Sequence, residues 1–127
     1  MNPGIESTKS ILMVAEEIPL LHTLSLLLLR AGYLVTSVNG LSQAYSILHL
    51  KIHDLLFIDL SSIAYDLSGL ITGIRLRHPQ IAILMLSSCD NFQPIETNVV
   101  LLMKPVDPVL VLEAVEKQIG PAFFLNT

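Results

Sequence analysis

A chain of 127 residues fits a single domain, large enough to bury one core without disulfide or metal staples. Apolar residues make up 52% and charged residues 14%, more apolar than a soluble monomer requires, which points to buried strands plus surface kept for a partner. A net charge of −4 without a basic stripe excludes a nucleic-acid backbone binder, and the single Cys89 excludes an intrachain disulfide.

Met1 to Lys9 is polar and carries Pro3 and Gly4, a loose lead-in over 1–9 with neither the charged start nor the apolar core of a signal peptide. Ile11 to Val14 is a short apolar run, the first strand, ending at Ala15-Glu16-Glu17. Pro19 suits the first turn of a helix whose inward stripe is Leu20, Leu24, Leu27, Leu28 and Ala31, stopped by Gly32. Leu26 and Leu29 fall off that stripe. The densest apolar segment, Leu20 to Leu29, is interrupted by His22, Thr23 and Ser25, so no membrane span is expected and the protein is placed in the cytoplasm.

Tyr33 to Val38 is the second strand, followed by an Asn39-Gly40 turn and a helix from Leu41 to Leu50 with Ala44, Ile47 and Leu48 inward. Leu55 to Asp59 is the third strand, four apolar residues closed by a carboxylate. After the polar loop from Ser61 to Ser68 comes a helix from Gly69 to Arg77, ended by His78-Pro79, with Leu70, Ile71 and Ile74 inward. Ile81 to Leu86 is the fourth strand, finishing at Ser87-Ser88. Cys89 to Asn98 is polar, holds Pro94 and has little helical period. Val99 to Met103 is the fifth strand, ending at Lys104-Pro105. Asp107 caps a last helix, with Pro108 at its first position and Leu112, Val115 and Ile119 inward, broken by Gly120-Pro121. Residues 121–127 form an apolar tail, and 10–120 form the domain.

Strands alternating with helices imply an α/β fold: a doubly wound, five-stranded parallel sheet whose fourth helix is short or missing. Ligands in such sheets sit beyond the carboxyl ends of the strands. Those ends carry Glu16 and Glu17, Asp59, Ser87 and Lys104. From the third strand alone, Asp59 is either a reactive group or a loop residue capping the next helix. Taken together, acids beside one lysine and one hydroxyl suit a hard divalent cation and a transferred phosphoryl group.

With these residues in order, the chain resembles the receiver domain of two-component response regulators, from about Ser10 to Ile119. The resemblance rests on the strand before the acidic turn, Gly32-Tyr33, Asn39-Gly40, Asp54-Leu55 with Asp59, Leu67 to Leu70, Arg75 to Pro79, Leu86-Ser87-Ser88, and Lys104-Pro105 with Asp107. It implies a flavodoxin-like receiver fold and a phosphorelay component, not an enzyme. Asp59 would be the phosphoacceptor, Ser87 the switch hydroxyl, Lys104 the phosphate-pairing lysine, and the Lys104-Pro105 bond cis. Mg²⁺ would be held by Glu16, Asp59 and the Ser61 carbonyl, with Glu17 as substitute by a shift of register. Partners would be a histidine kinase or phosphotransfer protein, with no nucleic acid or membrane bound.

Four departures stand against that pattern. Counting back from Gly32, the first acid position of the family's metal turn is Ala15, and the second is Glu16, one methylene longer than the usual Asp. Weak Mg²⁺ binding and impaired phosphorylation follow, since losing an outer carboxylate partner weakens a metal by roughly 10–100-fold. The loop between Asp59 and Gly69 is long, which displaces Ser61. The segment between Ser87 and Lys104 is too short for the family's fourth helix. Leu101 stands where the family usually has an aromatic. The alternative function is therefore a pseudo-receiver, a phosphorylation-independent interaction or dimerisation module.

A flavodoxin-like cofactor carrier is disfavoured, because Glu16, Glu17 and Pro19 stand where a phosphate cradle needs backbone N–H groups. His22, His49, His53 and His78 lack ligand spacing and are expected at the surface or at helix ends. Cys89 is expected to be an inert thiol. Leu26, Leu29, Val109, Leu110 and Phe123 to Leu125 are expected to form a homodimer face.

Overall fold

The computed structural model describes residues 9–15, 17–60, 67–88 and 97–122. Along them run β1 (Ser10–Ala15), α1 (Ile18–Arg30), β2 (Leu34–Val38), α2 (Leu41–Leu50), β3 (Leu55–Leu60), α3 (Leu67–Arg77), β4 (Ala82–Ser87), β5 (Val99–Met103) and α4 (Pro108–Ile119). All neighbouring strands pair in parallel, in the order β2-β1-β3-β4-β5. This is the doubly wound α/β sheet expected from the alternation. The expected shortness of a helix between β4 and β5 falls on residues 89–96, outside the described residues.

Side chains alternate across a strand, so each central strand feeds two cores. Ile11, Met13, Leu55, Phe57, Leu84 and Leu86 pack beneath α1 and α4. Leu12, Val14, Leu56, Ile58, Ile83 and Met85 pack beneath α2 and α3. Each such side chain contributes about 1.5–3 kcal/mol when fully buried. The central strands β1, β3 and β4 therefore carry the sheet, while the edge strands β2 and β5 stay partly exposed.

Helix ends follow local chemistry. Asp107 caps α4, its Oδ1 accepting from the Val109 N–H at 2.9 Å. Gly32, at φ 103°, takes the left-handed conformation that ends α1 and turns the chain into β2. The Lys104-Pro105 bond is cis, as the resemblance implies.

Several details correct the sequence reading. The inward stripe of α1 is Leu21, Leu24 and Leu28, with Leu20 and Leu27 only partly covered. In α4, Val111 is fully buried beside Val115, while Leu112 and Ile119 only flank the core. The third helix starts at Leu67, ahead of the expected Gly69. Lys9 is not loose: its N–H donates to the Ala122 carbonyl at 2.8 Å, and its carbonyl accepts from Leu34. Residues 1–8 lie outside the described ones. His53, expected at the surface or a helix end, is 3% exposed.

Candidate functional site

Parallel register brings the strand ends to one rim. Ala15 of β1 pairs with Asp59 of β3, Asp59 with Leu86 of β4, Leu60 with Ser87, and Ser87 with Met103 of β5. The next residue after β5 is Lys104, whose backbone N–H donates to the Ser87 carbonyl at 2.9 Å. That bond carries the ladder one step past the strand and fixes where the lysine leaves the sheet.

The lysine then reaches back across the rim. Its Nζ lies 2.5 Å from Asp59 Oδ1 and 3.6 Å from Glu17 Oε1. The Asp59 side chain is wholly buried, Lys104 is 17% exposed and Glu17 is 58% exposed. Asp59 and Lys104 thus form a short ion pair away from water, where a charge-assisted contact is far stronger than on the surface. Glu17 adds a weaker, solvent-screened contact from the outside. Ser87 is buried at 3% exposure, at the end of the strand beside Asp59. A cavity of about 420 Å³, lined by Glu17, Leu20, Ser88, Lys104, Pro105 and Val106, opens over the lysine.

Asp59, Ser87, Lys104 and Glu17 therefore share one rim. Glu16, Ser61 and Cys89 lie outside the described residues. Ala15 occupies the place in register with Asp59, the carboxylates of Asp59 and Glu17 both face one ammonium, and among the described residues no group of three or more His, Cys, Asp or Glu could hold a metal. What this arrangement offers is a buried carboxylate nucleophile with a cation at its oxygen. A lysine so placed stabilises negative charge gathering on a group transferred to that oxygen.

Arg75 has no expected role beyond marking the resemblance, yet it braces the opposite, amino rim of the sheet. Its guanidinium donates to the carbonyls of Pro79 at 3.2 Å, Thr97 at 2.7 Å and Asn98 at 3.3 Å, and to Ile81. It thereby ties the end of α3 to the starts of β4 and β5. A basic residue in the last turn of a helix is the sequence signal, but its distant acceptors are not legible from the chain.

No protein-family model matches the chain, and no curated protein matches it in sequence. Solved structures match over most of its length. The chemotaxis response regulator CheY4 of Vibrio cholerae superposes with a TM-score of 0.73 at 19% identity, covering 87% of this chain and 98% of that one. The receiver domain of the hybrid histidine kinase CckA gives 0.73 at 26% identity, with 87% and 98% covered. A response regulator from Thermotoga maritima gives 0.76 at 24% identity, with 89% and 98% covered. The fold is that of a receiver domain, as the strand-end residues imply. Among the described residues, no helix is long and apolar enough to cross a membrane.

Proposed function

We propose that this chain is a receiver module of a two-component pathway that accepts a phosphoryl group on Asp59 from a histidine kinase or phosphotransfer protein. The observation that carries this reading is the 2.5 Å pairing of the Lys104 ammonium with the buried Asp59 carboxylate at the carboxyl rim of the sheet. An Asp59 carboxylate oxygen attacks the donor phosphorus, and the bond to the donor's nitrogen or oxygen breaks. The donor leaves with that bond's electron pair, and Asp59 becomes an acyl phosphate. Lys104 follows the charge onto the phosphoryl oxygens, and the nearby Ser87 hydroxyl is the group to which they would bond. The module acts by changed contacts and is not an enzyme.

Transfer is slow and responds weakly to Mg²⁺ in this account, because Ala15 removes the carboxylate beside Asp59. Acetyl phosphate is the direct test. The expected result is slow gain of one phosphoryl group, abolished in Asp59→Asn and only modestly raised by millimolar Mg²⁺. No mass gain at any metal concentration overturns the proposal.

A second reading is favoured by the same ion pair: Lys104 already neutralises Asp59 as a metal cation otherwise would. The chain is then a pseudo-receiver, working by contact alone. Leu26, Leu29, Val109 and Leu110 are about half exposed on α1 and α4, the surface on which a second copy would dock. Under this reading Asp59→Asn leaves assembly unchanged by sedimentation, whereas Leu26→Glu disrupts it. Phe123 to Leu125, expected on the same face, lie outside the described residues.

A further inference from the structure

At the opposite rim from Asp59, the loop entering β3 meets the end of α3. His53 sits there with both ring nitrogens buried and making no hydrogen bond. Burial pushes its pKa below the ordinary 6.5, with the neighbouring Lys51 and His78 acting in the same direction and Asp54 opposing. The Lys51 backbone also opposes the shift, without reaching ordinary hydrogen-bond geometry. A neutral imidazole both donates and accepts, and leaving it unsatisfied in the interior costs about 1–3 kcal/mol.

His53 lines a cavity of about 400 Å³ together with Ile52, Asp54, Arg77, His78 and Ile81. A second cavity of about 410 Å³ adjoins it and shares Arg77 and His78. Its other walls are mostly apolar: Tyr45, Leu48, Gly73 and Ile74, with His49. Pockets of about 300–1,000 Å³, apolar with a few convergent polar groups, are the size and character that small molecules occupy.

Charge selects among such molecules. On a chain of net charge −4, the cavity walls carry the Arg77 guanidinium beside the imidazoles of His49 and His78, with Asp54 the one carboxylate among the lining residues. That carboxylate is engaged already, its Oδ2 accepting from the Ser10 N–H at 2.8 Å. The Arg77 guanidinium donates to His49 Nδ1 at 2.5 Å, which anchors one edge of the fork. Its remaining N–H groups suit the paired oxygens of a carboxylate or phosphate.

We propose that the two adjoining cavities form one binding site for a small organic anion with an apolar body. Arg77 and His78 hold the anionic head, His53 forms part of the wall beside it, and Tyr45, Leu48 and Ile74 cover the apolar part. The site lies a strand's length, roughly 20 Å, from the carboxyl rim, at the other end of the strand that carries Asp59.

The test is titration of the full chain, isotopically labelled for NMR, with benzoate and with phenyl phosphate, and with benzyl alcohol as the uncharged comparison. At least one anion is expected to move the backbone amide signals of residues 52–54 and 77–78 and the ring signals of His53 and His78 saturably. Benzyl alcohol is expected to bind at least tenfold more weakly. Arg77→Met removes the head's partner and should weaken the anion about tenfold or more. Gly73→Leu supplies a second variant: a Cβ at that position meets nothing within 4 Å, so a side chain is accepted there, at the wall of the apolar cavity. It should weaken binding by a similar factor. No saturable shift with either anion, equal binding of the alcohol, or unchanged affinity in either folded variant overturns the proposal.

Discussion

Lys104→Met is the sharpest perturbation of the rim. It keeps the length and apolar stem of the lysine and removes only the ammonium. Asp59, whose side chain is wholly buried, then loses the cation 2.5 Å from its Oδ1. Breaking a buried pair from one side costs about 3–5 kcal/mol, because a charge remains in a medium that solvates it poorly. Glu17 is mostly solvated at 3.6 Å, so its lost contact adds little to that figure. Against a total stability of about 5–15 kcal/mol, the variant forfeits about a fifth or more of what holds the domain folded. At about 3–5 °C per kcal/mol for a chain of this size, the melting temperature falls by about 10–20 °C. Urea unfolding of the wild type, Lys104→Met, Asp59→Asn and the double variant closes the cycle. The amide carries no charge, so the double variant should regain about 2 kcal/mol or more of the single variant's loss. A cost below about 1 kcal/mol for Lys104→Met, or additive single effects, would refute the claim of a tightly coupled buried pair.

Other expectations test the frame around the site. Arg75→Ala removes the donor shared by four carbonyls at the junction of α3, β4 and β5, of which Asn98 keeps the Ile83 N–H, and should cost about 2–3 kcal/mol in urea unfolding. Tyr33→Phe removes the hydroxyl that donates to the Gly120 carbonyl at 2.7 Å, a loss of about 1 kcal/mol at neutral pH. Burial, aided by Glu116, pushes the Tyr33 pKa up to about 12, so the folded state favours the protonated phenol. Wild-type stability should fall as pH rises from 10 to 12, and the phenylalanine variant should lack that part of the decline. His53 has the opposite sense: the folded state favours neutral imidazole while the unfolded chain takes up a proton near 6.5. Stability should therefore drop as pH falls below 6.5, and His53→Leu should flatten that part of a pH series of urea midpoints.

The layered fold is legible because its central strands are buried on both faces, which writes them as unbroken apolar runs such as Leu55 to Ile58. Proline, glycine and aspartate at helix ends mark the boundaries to within a residue or two, as at Pro108 and Gly120. The inward face of α1 is harder. Leucine occupies seven of its positions, so apolar period alone permits more than one rotation of the helix, and packing selects Leu21 over Leu20. Strand-end positions likewise foretell that Asp59 and Lys104 share a rim. They do not foretell that Glu17 points to the lysine, which depends on how the turn after β1 is laid down. His53 shows the same limit from the other side. Imidazole reads as a surface group, and its burial arises where the loop before β3 meets the end of α3, a contact no local periodicity encodes.

Chemical identification of the modified residue tests the central claim most directly. After incubation with acetyl phosphate, borohydride reduction converts an aspartyl phosphate to homoserine, which peptide mass analysis locates. The account predicts homoserine at position 59 and at no other carboxylate. Homoserine elsewhere with Asp59 intact, or no reducible acyl phosphate in a folded protein, would contradict it.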